Sequence, residues 1–202
     1  MESTTIFTES AYQGQTFTDL VVEGATFDRI EFEECHFVGC RFPSCVFQGC
    51  AFVNCAFTLC DLGLMRVPAS RFTEAQFTDC KLIGVDWTDA SSLTALTTSM
   101  SFLRCILSYS SFTDLDVKGM RVIECEAHEA DFTKARLQRA VFTKSDLTGA
   151  RFVESDLREA DFVGARNYVI DPTRNKVKKA RFALPEAVGL LAAFGVVVQP
   201  YE

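Results

Sequence analysis

The chain has 202 residues, nine cysteines and a formal net charge of −7. That sign excludes direct binding of free nucleic acid as the first expectation and leaves a basic, DNA-binding protein surface as a fitting partner. No apolar run reaches membrane-spanning length, and the opening Met1-Glu2-Ser3-Thr4-Thr5 has neither the basic start nor the apolar stretch of a secretory signal, so a cytoplasmic protein is expected.

From Phe7 a large residue recurs every fifth position: Phe7, Tyr12, Phe17, Val22, Phe27, Phe32, and on to Phe152, Leu157 and Phe162, which makes 32 units. Seventeen of the nineteen phenylalanines occupy these centres; Phe182 and Phe194 do not. Two places before each centre runs a second, smaller series. It holds Cys35, Cys40, Cys45, Cys50, Cys55, Cys60, Cys80, Cys105 and Cys125, then mostly alanine and serine from Ala130 to Ala165. A period of five is neither helical nor strand-like, so the chain must turn a corner in every unit. One bulky and one small inward residue per unit suit the filling of a narrow tube. The periodicity thus predicts a solenoid with a five-residue step.

All nine cysteines share one phase, and no Cys-x-x-Cys pair occurs. Neither a metal site nor a disulfide framework is expected; the thiols read as small buried hydrophobes.

Late units such as Ser145-Asp146-Leu147-Thr148-Gly149, Ala150-Arg151-Phe152-Val153-Glu154 and Ala160-Asp161-Phe162-Val163-Gly164 resemble the pentapeptide-repeat family. The resemblance implies an all-β, right-handed quadrilateral β-helix with one unit per face and about eight coils. At a strand-like spacing its length is about 38 Å.

One coil is irregular. Trp87 is followed by two polar centres, Ser92 and Thr97, while Leu93, Leu96 and Met100 supply apolar mass out of phase. Phe102 returns twenty residues after Leu82. The expectation is a distorted coil that bulges without adding length. A degenerate repeat with internally hydrogen-bonded hydroxyls fits as well.

The pattern stops after Ala165, which divides the chain into a β-helix over 1–166 and a C-terminal module over 167–202. Asn167 to Pro172 reads as a connector. A basic segment follows, with Arg174, Lys176, Lys178, Lys179 and Arg181. Pro185 and Glu186 open a short helix with an apolar stripe of Ala187, Leu190, Leu191 and Phe194, and Gly195 ends it. Val196-Val197-Val198 reads as a terminal strand. A solenoid end needs a cap. Together with Leu184 these residues carry more apolar surface than a cap requires, which predicts dimerisation through the tail.

Catalytic chemistry has little to rest on. His36 and His128 both precede a centre and so point outward, nearly five coils apart. No phosphate loop, catalytic triad order or metal spacing appears, so no cofactor and no enzymatic activity are expected. Charge is more telling. With twenty residues per coil, the faces of the Phe7 and Tyr12 series collect Asp28, Glu31, Glu33, Glu34, Glu74, Asp86, Asp89, Asp114, Glu126, Glu129, Asp131, Asp146 and Glu154. With Glu9 and five bases their net charge is −9, against zero on the other two faces. Such a strip could occupy a groove built for DNA, although a duplex of about 38 Å carries roughly 22 charges.

The layout also resembles the topoisomerase-protecting branch of the family, which includes the albicidin-resistance, microcin-immunity and Qnr quinolone-resistance proteins. The carrying stretches are Asp79 to Trp87, Leu103 to Leu107, and Asn167-Tyr168 through Lys179-Ala180-Arg181-Phe182-Ala183-Leu184-Pro185-Glu186-Ala187. The resemblance implies a non-enzymatic homodimer that binds DNA gyrase, and often topoisomerase IV, and rescues it from poisons. Several quinolone-resistance relatives carry projecting loops. The unbroken phase here leaves no room for one, which favours a toxin-specific or regulatory role. A gyrase inhibitor without protective action and a scaffold for an unrelated protein partner stay open as alternatives.

Overall fold

The computed structural model describes residues 6–90 and 100–199. The regular units hold a three-residue strand with its centre buried and its flanks turned outward, as in Thr26–Asp28 and Glu31–Glu33, and the others a single bridge residue followed by a turn, as at Asp61 and Lys81. Corners take the left-handed backbone, at Glu34, Asn54 and Leu64 for example. The strands pair in parallel with the coil twenty residues on: Tyr12 with Phe32, Phe32 with Phe52, and Phe17 with Phe37. Four faces result, in a β-solenoid of about eight turns. Face one carries the centres Phe27, Phe47, Val67 and Trp87; face two Tyr12, Phe32, Phe52 and Phe72. Face three carries Phe17, Phe37, Phe57 and Phe77; face four Val22, Phe42, Leu62 and Leu82.

The lumen is filled by columns of rings. Phe37 and Phe57 stack with centroids 4.7 Å apart, and Phe57 and Phe77 4.8 Å apart. Neighbouring columns meet edge to face, as Phe47 does with Phe52. Phe7 plugs the N-terminal end, with its ring against Tyr12, Phe17, Phe27, Phe32 and Phe42. Offset and edge-to-face contacts are the favourable ring geometries, so the columns gain more than their buried area alone.

The small inward residues do more than fill space. Many corners close on themselves, where the N–H of the next unit donates to the centre's carbonyl, as Ala140 does to Leu137 at 3.0 Å. Other corners, those after regular strands, leave that N–H open. There Cys60, Cys80 and Cys105 N–H donate to the Sγ of Cys80, Cys105 and Cys125 in the next coil, at 3.4, 3.4 and 3.3 Å. Cys125 and Ser155 N–H donate to Ser145 Oγ and Asn175 Oδ1 at 3.0 and 2.9 Å. The same side chains donate downward to a centre's carbonyl, Cys80 to Phe57 and Ser145 to Val122. Ala130, Ala140, Ala150, Ala160 and Ala165 stand one coil above corners that close themselves, at Ser110, Met120, Ala130, Ala140 and Ser145. Ala75, above Cys55, is an exception.

The irregular coil corrects the sequence reading. Phe102 stacks on Phe77, 5.1 Å away, and not over Leu82. Gln76 pairs with Ser101, Lys81 with Ile106 and Asp86 with Ser111, each twenty-five residues on. On either side the offset is twenty. This coil therefore holds five extra residues, which the pairing of its flanks puts between Ala90 and Met100. Ser92, Leu93, Leu96 and Thr97 lie outside the described residues; Trp87 and Met100 are buried in the core. The insertion equals one period, so the five-residue phase passes through it unchanged.

The ladder also runs past the connector expected at 167–172. Phe152 pairs with Ile170 in a shortened coil, then Asp156 with Lys176 and Asp161 with Arg181. Phe182 stacks on Phe162 at 5.1 Å and is a centre after all, which leaves Phe194 alone outside the columns. A 3-10 helix, Glu186–Phe194, follows and ends at Gly195 with φ 69°. Leu190 packs against the core from this helix. The strand expected at Val196 to Val198 is not formed. No helix of the described residues is long and apolar enough to cross a membrane.

Candidate partner-binding surface

The true register redistributes the charged residues. After the extra unit every centre moves back by one face. Phe112, Phe132 and Phe152 extend face one; Val117, Leu137, Leu157 and Val177 extend face two; Leu107, Ala127 and Leu147 extend face four. Of the acids expected on two adjacent faces, Asp28, Asp86, Asp89, Asp114, Asp131 and Glu154 lie on face one and Glu31, Glu33, Glu34 and Glu74 on face two. Glu126, Glu129 and Asp146 belong to face four, so the continuous −9 strip does not exist.

What remains acidic is the N-terminal half of faces one and two. Glu9, Asp28, Glu31, Glu33, Glu34, Glu74, Asp86 and Asp89 are all exposed there, against Arg29, Arg66 and Arg71. Of these eight acids only Asp28 has an ion-pair partner among the described residues, Arg29 at 2.9 Å. Asp86 also accepts from Thr88 N–H and hydroxyl and caps the turn at Trp87. In the C-terminal half the acids are mostly spent on the next coil. Glu124 pairs with Lys144, Asp131 with Arg151, Asp146 with Arg166 and Asp161 with Arg181. Desolvation works against Asp146, but bonds from Asn167, Thr148 and Arg166 hold its carboxyl below the usual carboxylate range. By sequence, residues 6–90 carry a net −7 and residues 100–199 a net +2.

Sequence reasoning found Lys176, Lys178 and Lys179 in a basic tail segment but missed the stretch they complete. The C-terminal half of face two brings together Lys118, Arg136, Arg139, Arg158, Lys176, Lys178 and Lys179, with Asp116, Asp156 and Glu159. A count by twenty, reset after Phe77, is the signal that finds it.

The thiols and histidines form no catalytic grouping. Burial pushes Cys55 up to about 12, and contact with the neighbouring thiol together with burial does the same for Cys80 and Cys105. They stay protonated and inert at neutral pH. His128 lies between Glu126 and Asp146, at 3.3 and 3.5 Å, on the solvent side of face four. Among the described residues no group of His, Cys, Asp and Glu is placed to hold a metal ion.

The tail presents the apolar residues expected there in two ways. Ala187 and Leu190 are half-buried, whereas Leu184, Leu191, Phe194, Val196, Val197 and Val198 are exposed, Phe194 by 61% and Val197 by 83%.

Comparison with known proteins adds the family. QnrB1, a plasmid-mediated fluoroquinolone resistance protein, superimposes in two trypsin-treated variant forms. The TM-scores are 0.57 and 0.55 at 22% and 20% identity, over 94% of this chain and 99% and 97% of theirs. HetL, a pentapeptide-repeat protein involved in heterocyst differentiation regulation in the cyanobacterium Nostoc, aligns at TM-score 0.39 and 18% identity, over 86% of this chain and 87% of its own. No curated protein matches the chain. The family described as "pentapeptide repeat region" matches residues 30–97 and 93–162. With that match, the five-residue step and the four-sided ladder, the chain belongs to the pentapeptide-repeat family.

Proposed function

We propose that this chain is a non-enzymatic bacterial protein that acts in the cytoplasm as a homodimer, binds DNA gyrase or the related topoisomerase IV, and protects it from a poison. The observation that carries the reading is the set of exposed, mostly unpaired acids on the N-terminal half of faces one and two. The QnrB1 fold supports it, since that protein confers fluoroquinolone resistance on the same architecture. The objection that the rod has no room for an extra segment falls with the twenty-five-residue coil.

Electrostatics sets the scale of the mimicry. From Phe27 to Trp87 face one rises three rungs, and from Phe7 four, or about 19 Å. Duplex DNA of that length carries about 11 charges, roughly twice the net charge of the acidic half-strip. The strip steers the rod into a basic groove and sets its register there without copying DNA charge for charge.

The test is a supercoiling assay with purified gyrase, with and without candidate poisons. Reversal of Glu31, Glu33, Glu34 and Glu74 to lysine should abolish the effect of the protein on supercoiling while its melting curve stays cooperative. Reversal of Glu126 and Glu129, on face four, should leave the effect in place. If the first variant acts like the parent, the acids serve solubility and the groove-binding reading fails.

A further inference from the structure

Face two changes sign along the rod. Its C-terminal half carries rungs centred on Val117, Leu137, Leu157 and Val177. Lys118, Arg136, Arg139 and Arg158 project from the first three, and Lys176, Lys178 and Lys179 from the last; all seven are exposed. The three acids among them are already engaged. Asp116 meets Lys118 at 2.9 Å and Arg136 at 3.4 Å, and Glu159 meets Arg139 at 3.7 Å. Asp156 is buried and takes bonds of 2.6 Å from both Arg158 and Gln138. Lys176, Lys178 and Lys179 have no carboxylate partner among the described residues. A concavity of about 260 Å³ opens on this face, lined by Lys118, Gln138, Arg139, Arg158 and Glu159.

Spacing decides between anionic partners. Four rungs span about 14 Å, and seven cations less three acids leave four, so the face carries one net positive charge per roughly 3.6 Å of rod. Duplex DNA carries one phosphate per about 3.4 Å along each strand, close to the spacing of the face. An extended acidic peptide offers at most one carboxylate per about 3.4 Å, and alternate side chains point away. Arg158 spends its fork on Asp156, whereas Arg136 and Arg139 each meet a carboxylate through one nitrogen and keep the rest of the fork for phosphate oxygens. The acids of the other half do not cancel the field. Glu74 lies two rungs from Lys118, about 10 Å, and Glu31, Glu33 and Glu34 four rungs, about 19 Å, all beyond a screening length of about 8 Å at physiological salt.

We propose that the C-terminal half of face two is a seat for the phosphate backbone of duplex nucleic acid. It reads no sequence, and it acts beside the acidic half that faces a protein groove. The inference stands on bare duplex and does not need the gyrase reading.

The experiment is a titration of the full-length protein into a short, labelled DNA duplex of mixed sequence, followed by fluorescence anisotropy between about 50 and 200 mM salt. Binding should be tight at the lower salt and weaken steeply at the higher. The variant Lys118→Glu, Arg139→Glu, Lys178→Glu should bind at least about tenfold more weakly and flatten the log–log salt slope by roughly 3, at about 0.9 per phosphate contact. Should that variant fail to fold, Lys176→Gln with Lys178→Gln and Lys179→Gln replaces it, since those side chains hold no pair, and the same direction of change is expected. No binding by the parent at the lower salt, or equal binding by parent and folded variant, overturns the proposal. Displacement of the duplex by poly-glutamate at equal charge concentration overturns it too and makes the face a reader of acidic protein. Reversal of Glu31, Glu33, Glu34 and Glu74 should leave duplex binding no weaker, which separates this outcome from that of the supercoiling assay.

Discussion

A corner amide left open by its strand needs an acceptor, and in this rod a thiol one coil above provides it. Cys105 accepts from Cys80 N–H at 3.4 Å and donates to the carbonyl of Phe77 at 3.4 Å. Replacing it with alanine keeps the packing nearly unchanged but strands both backbone groups in a dry lumen. Cys105→Ala should cost about 1–3 kcal/mol in denaturant unfolding, and Cys105→Ser clearly less, because the hydroxyl can serve both partners as Ser145 does. Equal losses for the two variants would show that volume alone matters at this position. The sequence made the phase of the cysteines plain, and their burial with it. Their role was not legible there, because whether a corner needs an acceptor depends on the turn taken by the coil below.

At the scale of the coil, the extra unit between Ala90 and Met100 separates what the sequence displays from what it conceals. Periodicity of five fixes which residues point inward, and every described centre from Phe7 to Phe162 obeys it. Periodicity of twenty fixes which face a residue occupies, and an insertion of one whole unit shifts that count silently. The hint lay in two polar centres in succession, Ser92 and Thr97, after the single tryptophan. Since the ladder on both sides joins Phe77 to Phe102 directly, excision of Leu93 through Thr97 should leave a twenty-residue coil and a folded rod. Circular dichroism and a cooperative melt close to that of the parent are expected; loss of folded protein would mean that the five residues hold the register. Glu126, Glu129 and Asp146 were placed on the wrong face for the same reason, as was the basic half of face two.

At the scale of the molecule, a solenoid with a five-residue step was legible from the first cysteine to the last alanine, and its four sides only through the family resemblance. The finish was less so. Phe182 joins a column because Lys176 and Arg181 resume the ladder after a shortened coil, and no five-residue phase announces that. Beyond it the tail turns Leu191 and Phe194 to solvent, 40% and 61% exposed. Burial of two such side chains in a partner contributes about 1.5–3 kcal/mol each, enough to decide a weak self-association. Leu191→Asp combined with Phe194→Asp should give a soluble monomer by light scattering with an unchanged solenoid spectrum. A persisting dimer would move the contact elsewhere on the rod.

The unequal charge of the two halves has a mechanical meaning. A rod with −7 over residues 6–90 and +2 over residues 100–199 has a heading as well as an affinity. In the field of a positively charged saddle it feels a torque before it touches anything, and it swings so that its N-terminal end leads. Arrival is thereby ordered: the end plugged by Phe7 enters first, and the lysines of the last coil trail outward like the flight of an arrow.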